Sequence, residues 1–328
     1  MKIGRSEMPH EGTVTVGLSP AFPSEYLHLL HDVSPRLRFM QLKAGTVPAE
    51  AGEIEVLATW YISRNELAEL APKLTRLRWV QSPIAGVGDQ RLHELFGPHV
   101  TITGAAGVYG DMVAEHAMAL ILALYKRLPE LLEQQHEERW DDLEARTLAG
   151  QTLGVVGVGG IGRSAARMAR AFGMKTVGVR RGAGAVPELD TTLPQEELPS
   201  LLAGSDVVLL SVPLTPETQG MVDRKFLQQM KRSALLVNVA RGKIVVTDDL
   251  VEALRDGWIA GAGLDVTEPE PLPKGHPLWQ LPGVIITPHH ANPSLQSREH
   301  AVRRFAENLA RYVRGEPLIA VVDPQRGY

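Results

Sequence analysis

The chain has 328 residues, a formal net charge of −4 and 22% charged residues. That length allows two domains with cores of their own, and there is no basic excess of the kind that marks a nucleic-acid binder. With no cysteine in the chain, disulfides, thiolate zinc sites, iron–sulfur clusters and a cysteine nucleophile are excluded together.

The opening segment MKIGRSEMPHEG lacks the apolar core of a signal peptide. The most apolar stretch, 117–125, is about half the length that spans a bilayer. The expectation is a cytoplasmic protein with no membrane partner. Strand patterns fall near 13–18, 55–58 and 77–81, with a helical pattern at 63–70 between them. A turn-rich segment, Thr103-Gly104-Ala105-Ala106-Gly107, reads as a crossover between domains. A long helix follows over 111–135, and its early part is apolar nearly all round, which predicts burial between domains or subunits. Glu115 and His116 lie inside it and read as capping or packing partners, with a catalytic role as the alternative.

From residue 152 the alternation is regular, with strands expected at 152–156, 175–179, 207–211, 235–239, 261–265 and 284–287. Helices fill the gaps, and Gly173 and Gly257 stand as helix stops. This is the pattern of a doubly wound parallel sheet of about six strands. A last helical pattern at 294–313 is expected to pack back on the first domain. The division is then 1–107 with 294–328, a discontinuous substrate-binding domain, and 108–293, a dinucleotide-binding domain.

The segment Gly157-Val158-Gly159-Gly160-Ile161-Gly162 follows a strand and opens a helix. In that setting G-x-G-x-x-G has a physical rationale: Gly157 for a tight turn, Gly159 for close approach of a pyrophosphate, Gly162 for helix–strand packing. The pyrophosphate would rest on the amides of the helix start, around Gly160 and Ile161. About 20 residues on, an acidic residue usually accepts hydrogen bonds from the adenosine ribose. Here Arg180 and Arg181 occupy that place. A guanidinium has donors only and grips a phosphate with paired bonds, so the expected cofactor is NADP(H), with NAD(H) as the weaker alternative. Two solvated arginines are the other reading.

Ligands of open α/β sheets bind beyond the carboxyl ends of the strands. Arg241, Asp265, Glu268, Glu270, His289 and His290 all fall just past such ends. An arginine to fix a carboxylate, a histidine to give a proton and a carboxylate to orient it suit hydride transfer to a 2-oxo acid. No metal is expected. Six segments carry a further likeness: VAEHAMALILAL, LGVVGVGGIGR, SDVVLLSVPLTPETQGMVD, LLVNVARGKIV, GAGLDVTEPEPLP and HPLWQLPGVIITPHHAN. Through them the chain resembles the D-2-hydroxyacid dehydrogenases, in the NADP-preferring branch that resembles glyoxylate/hydroxypyruvate reductases.

The resemblance implies an α/β protein of two doubly wound parallel-sheet domains, a Rossmann-type NAD(P)-binding domain and a flavodoxin-like substrate domain. It also implies catalytic roles for Arg241, Glu270 and His289, and a nicotinamide facing Asp265. Val212, Pro213 and Thr218, with Val239 and Ala240, would line the cofactor. A loop of the first domain, Ala85-Gly86-Val87, would hold the substrate carboxylate on its amides with Arg241 and His289. The usual aspartate after the valine is displaced to Asp89 behind Gly88. Glu268 competes with Glu270 as the partner of the histidine, and His290 stands beside the catalytic candidate as a possible decoy. Trp60 and Tyr61 would line the side-chain pocket or pack the core. The partners implied are a small 2-oxo or 2-hydroxy acid and a second copy of the chain in a homodimer. Alternatives of other function are a formate or phosphite dehydrogenase of the same architecture and a dinucleotide-sensing corepressor.

Overall fold

The computed structural model describes residues 12–87, 91–182, 184–292 and 295–323. Gly88, Asp89 and Ser294 lie outside the described residues. The chain divides into two compact units, Met1–Val108 with Ser294–Tyr328 and Tyr109–Pro293.

In the first unit β1 (Val14–Leu18), β2 (Leu37–Gln41), β3 (Val56–Ala58), β4 (Trp79–Gln81) and β5 (Thr101–Thr103) pair in parallel. Their order is β2-β1-β3-β4-β5, the flavodoxin-like winding. The helices are α1 (Leu27–His31), α2 (Arg64–Leu70) and α3 (Leu92–Phe96). A capping box starts α2: Ser63 Oγ accepts from Glu66 N at 3.2 Å, and Ser63 N donates to Glu66 Oε2 at 2.9 Å. The C-terminal helix, Leu295–Arg314, lies on this unit. Its Phe305 is fully buried, with its ring 5.7 Å from that of Trp60 and 5.5 Å from that of Trp79. Trp60 is therefore core, while Tyr61 is 75% exposed.

The second unit holds β6 (Thr152–Val156), β7 (Lys175–Val179), β8 (Thr191–Leu193), β9 (Val207–Leu210), β10 (Leu235–Asn238), β11 (Gly261–Leu264) and β12 (Val284–Ile286). They form one parallel sheet in the order β12-β11-β10-β9-β6-β7-β8. The chain winds outward from β6 in both directions, which is Rossmann topology. The inner strands β9, β10 and β11 are buried at every residue, as a sheet covered on both faces requires. The helices are α4 (Gly110–Tyr125), α5 (Leu128–His136), α6 (Gly160–Ala171), α7 (Leu198–Gly204), α8 (Arg224–Gln229) and α9 (Thr247–Arg255). Gly173 and Gly257 follow helix ends in the left-handed region, at φ +76° and +66°.

The apolar face of α4 is buried within this unit, against α6 and the strands β10 and β11. The carboxylate of Asp111, at its start, accepts from Ser164 Oγ at 2.5 Å and Arg167 Nη2 at 2.7 Å, both on α6. These partners hold the Asp111 carboxyl below the usual carboxylate range.

The single helix expected over 111–135 is two helices. Pro129 has no N–H, and its ring would clash with the carbonyl of Tyr125 in a continuous helix. The chain instead breaks at Arg127, with φ +54°, and the Tyr125 carbonyl accepts from Arg146 N at 3.0 Å. The strands β2, β5 and β8 were not anticipated from sequence. All three are sheet edges; β2 is half-buried on both faces, and β5 and β8 are three residues each with two threonines. Neither alternation nor an apolar run marks them.

Candidate active site

The glycine loop joins β6 to α6. Gly157 has φ +96°, and a Cβ there would lie 2.8 Å from Val212 N. At Gly162 a Cβ would lie 2.5 Å from the Gly157 carbonyl, which also accepts from Ser211 Oγ at 2.6 Å. At Gly159 a Cβ would meet nothing within 4 Å. Two glycines are thus required by the protein's own packing, and the third opens onto free space at a helix start that has no side-chain cap. That space, faced by helix N-terminal amides, fits a dinucleotide pyrophosphate.

Arg180 follows β7 and is half-buried; Arg181 is exposed. The turn folds the Arg180 guanidinium back over Gly182, where a Cβ would lie 2.7 Å from Nη2. The Glu217 carboxyl is held below its usual range, first by its hydrogen bond with Thr215 and in smaller part by the charge of Arg181. The loop after β9 therefore approaches the arginine turn. Within it the Thr218 hydroxyl donates to the Pro213 carbonyl at 2.7 Å and accepts from Thr215 N at 2.8 Å, so this side chain shapes the loop.

The rim beyond β10, β11 and β12 gathers the remaining candidates. After β10, Asn238 clamps the turn: its Oδ1 accepts from Ala240 N and its Nδ2 donates to the Arg241 carbonyl, both at 3.0 Å. The next residue, Gly242, packs so tightly on the segment after β11 that a Cβ would lie 1.9 Å from the Thr267 carbonyl. That packing brings the Arg241 turn against the loop that carries Glu268 and Glu270. After β12, His289 Nδ1 lies 2.7 Å from Glu270 Oε1. The Glu268 carbonyl accepts from Thr247 Oγ1 at 2.6 Å, and the residue paired with His289 is Glu270. The side chains of the pair are 51% and 41% exposed, open to a ligand. His290 is exposed.

His289 has φ +51°, a conformation that costs a non-glycine residue about 1–3 kcal/mol. Asp265, with its side chain 1% exposed, supplies what holds it. The Asp265 carbonyl accepts from His289 N at 2.8 Å. Its Oδ1 accepts from His290 N and from Thr287 Oγ1, both at 2.6 Å, and its Oδ2 from Ala291 N at 3.0 Å. On α4, His116 Nε2 lies 2.9 Å from Thr287 Oγ1 and 3.4 Å from Asp265 Oδ1. Sequence reading set His116 aside. The available signal was a polar ring on a stripe whose neighbours Val113, Ala117 and Leu120 are all buried, where a polar group needs a partner.

In the first unit, Val87 is 2% exposed and belongs to the core, while Ala85 is exposed and Gly86 half-buried. The Ile84 carbonyl accepts from Ala105 N at 3.0 Å and ties the loop to the chain beyond β5.

A Rossmann sheet with an open glycine loop, and an arginine and a His–Glu pair on its carboxyl rim, places the protein among the dinucleotide-dependent oxidoreductases. The sequence profile described as "D-isomer specific 2-hydroxyacid dehydrogenase, NAD binding domain" matches residues 118–291. The glyoxylate reductase of Korarchaeum cryptofilum is 38% identical over 262 residues, 76% of this chain and 76% of that protein. The human glyoxylate reductase/hydroxypyruvate reductase is 34% identical over 249 residues, 74% of this chain and 76% of that protein. The D-isomer specific 2-hydroxyacid dehydrogenase of Xanthobacter autotrophicus Py2, crystallised with NADPH and MES, superposes with a TM-score of 0.84. It is 32% identical and covers 97% of this chain and 100% of its own. The chain belongs to the D-isomer specific 2-hydroxyacid dehydrogenase family and is an oxidoreductase of 2-hydroxy and 2-oxo acids. Among the described residues no helix is long and apolar enough to cross a membrane, and no cluster of metal-ligating side chains is found.

Proposed function

We propose that the protein reduces a small 2-oxo acid, glyoxylate, hydroxypyruvate or similar, with NADPH, giving the D-2-hydroxy acid wherever the product is chiral. The observation that carries this reading is the 2.7 Å contact between His289 Nδ1 and Glu270 Oε1 on the rim beside Arg241. With Nδ1 engaged, Nε2 is the ring position that faces substrate and gives its proton to the carbonyl oxygen. Glu270, 2.7 Å from Nδ1, orients the ring. Arg241 binds the carboxylate and sets the carbonyl for attack. The nicotinamide, when bound, supplies the hydride.

Gly157, Gly159, Gly160, Ile161 and Gly162 hold the pyrophosphate, and Arg180 and Arg181 hold the 2′-phosphate. Val212, Pro213, Thr218, Val239, Ala240 and Asp265 form the wall of the cofactor site. The choice of NADPH is supported by the two arginines in place of an acidic residue and by the Xanthobacter relative crystallised with NADPH. The second unit is then the cofactor domain and the first the substrate domain. A cytoplasmic homodimer is part of the same reading. The burial of the apolar face of α4 within its own unit moves the expected interface to α5, where Leu128 and Leu132 are 45% and 55% exposed, and to Trp140, 98% exposed. Light scattering after gel filtration tests the dimer.

The deciding experiment is initial-rate reduction of glyoxylate, hydroxypyruvate and phenylpyruvate, each with NADPH and with NADH. Fast turnover of the two small acids with a strong preference for NADPH is expected. Equal use of NADH refutes the role of the arginines, and no turnover of any of the three refutes the reaction.

A further inference from the structure

The polar network behind the rim includes a group that the proposed chemistry leaves without a task. His116 sits on α4, and Thr287 is 171 positions away at the end of β12. A histidine ring on the covered side of a helix must satisfy its nitrogens, and here Nε2 is aimed at the hydroxyl of Thr287.

The direction of each bond follows from proton inventory. As a carboxylate, Asp265 only accepts, so the 2.6 Å contact from Thr287 Oγ1 uses the single hydroxyl proton. The Thr287 oxygen then has only lone pairs left to offer His116. An unprotonated Nε2 at 2.9 Å would set lone pair against lone pair, so Nε2 carries the hydrogen and donates. The same N–H leans on Asp265 Oδ1 at 3.4 Å. A chain of donors thus runs from α4 to one carboxylate, and that carboxylate grips the amides of His290 and Ala291. These are the two residues that follow the left-handed His289.

We propose that His116 is a positioning residue of the reaction centre. Through Thr287 it fixes the rotamer of Asp265, and through Asp265 the backbone that aims His289 at substrate. The proposal rests on the reading of His289 as proton donor. It predicts a larger effect on the chemical step than on dinucleotide binding, because His116 acts through Asp265 at the nicotinamide end of the site and not on the glycine loop that holds the pyrophosphate.

The test uses the full chain and three variants, His116→Ala, His116→Gln and Thr287→Val. A misplacement of reacting groups by about 1 Å costs up to roughly a hundredfold. His116→Ala is therefore expected to lower kcat about ten- to a hundredfold while the KM for NADPH, held mainly by the glycine loop, changes by much less. His116→Gln, whose amide N–H reaches the same hydroxyl, recovers most of the loss. Thr287→Val matches His116→Ala, and the double variant is no worse than either single one, because both break one chain.

Unchanged kcat in His116→Ala, or additive losses in the double variant, overturns the proposal. So does a glutamine variant as poor as alanine. Imidazole ¹⁵N NMR of the parent gives a readout free of turnover. The Nε2–H form of His116 is expected, and the Nδ1–H form overturns the proposal. If the parent turns over no 2-oxo acid, the reading of function fails while the NMR still decides the hydrogen-bond chain.

Discussion

The three glycines of the G-x-G-x-x-G motif, Gly157, Gly159 and Gly162, should separate in their behaviour on substitution, because only two of them are confined by the protein itself. Gly159 has φ −89° and ψ −159°, extended backbone that alanine adopts freely, and an added Cβ there meets nothing within 4 Å. Gly159→Ala gains about 0.4–1 kcal/mol from the restricted unfolded chain. It gives up a few tenths of a kcal/mol or more because alanine is a poorer N-cap than glycine. The net change in stability is within about 1 kcal/mol, or roughly 2–4 °C in Tm for a unit of this size.

A pyrophosphate lying on the amides of the helix start would feel the same methyl group as a wall. Displacing it breaks one or two charge-assisted hydrogen bonds of about 1.5–3 kcal/mol each. A loss of about 3 kcal/mol raises the Kd for NADPH roughly a hundredfold. Gly162→Ala behaves in the opposite way. Its Cβ would sit 2.5 Å from the Gly157 carbonyl and 2.8 Å from Val155 Cγ1, so the fold itself loses several degrees in Tm at about 2–4 °C per kcal/mol. The assay is a thermal melt of each variant without ligand, paired with calorimetric titration of NADPH. A Gly159→Ala protein with parental Tm and parental Kd would show that no pyrophosphate lies over Gly159, and the cofactor site as argued would be wrong.

Replacing Arg180 and Arg181 by Asp and Ser should raise the KM for NADPH far more than that for NADH, and equal changes in steady-state kinetics would make the two arginines mere solvated charges. Glu217→Gln, which removes the carboxylate that faces Arg181, should lower the KM for NADPH modestly and leave that for NADH unchanged; no difference between the cofactors refutes the pairing. His289→Gln should abolish turnover and leave NADPH titration unaffected, whereas His290→Gln should retain activity; the reverse result would move the proton donor by one residue. His93, on α3, has both ring nitrogens shut off from solvent, and burial lowers its pKa, against smaller opposing effects of the Val322 backbone and Asp323. The unfolded chain then binds this proton more readily than the folded one, so stability falls as pH drops below about 6.5. In urea unfolding at pH 7.5 and 5.5, His93→Leu should lose less stability between the two pH values than the parent does, and an identical loss would refute the assignment.

The legible part of this protein is the part whose physics is local. The glycine loop, the helix stops at Gly173 and Gly257 and the apolar inner strands each follow from a few consecutive residues, and the structure has them where the pattern placed them. The edge strands β2, β5 and β8 escaped because they are short and carry threonines or charged and amide side chains in place of a continuous apolar run. The helix break at Arg127 could have been read from Pro129, yet an unbroken apolar pattern through Tyr125 argued the other way.

At the site the same division holds. Arg241, Glu270 and His289 could be named one by one, because each follows a strand end. Which carboxylate meets His289 is settled by three-dimensional packing: Gly242 against the Thr267 carbonyl, and a loop that carries Glu270 rather than Glu268 to the ring. His116 is the extreme case. Its neighbours on the helix stripe, Val113, Ala117 and Leu120, are apolar, and its partner lies 171 residues away. A histidine on an apolar stripe announces only that a partner exists, since burying an unpaired polar group costs about 1–3 kcal/mol. Here the partner is a threonine at the end of β12, bonded in turn to the aspartate at the end of β11, and α4 packs on both that strand and the neighbouring β10. A helix that first reads as inert packing thus forms the back wall of the rim on which His289 is held.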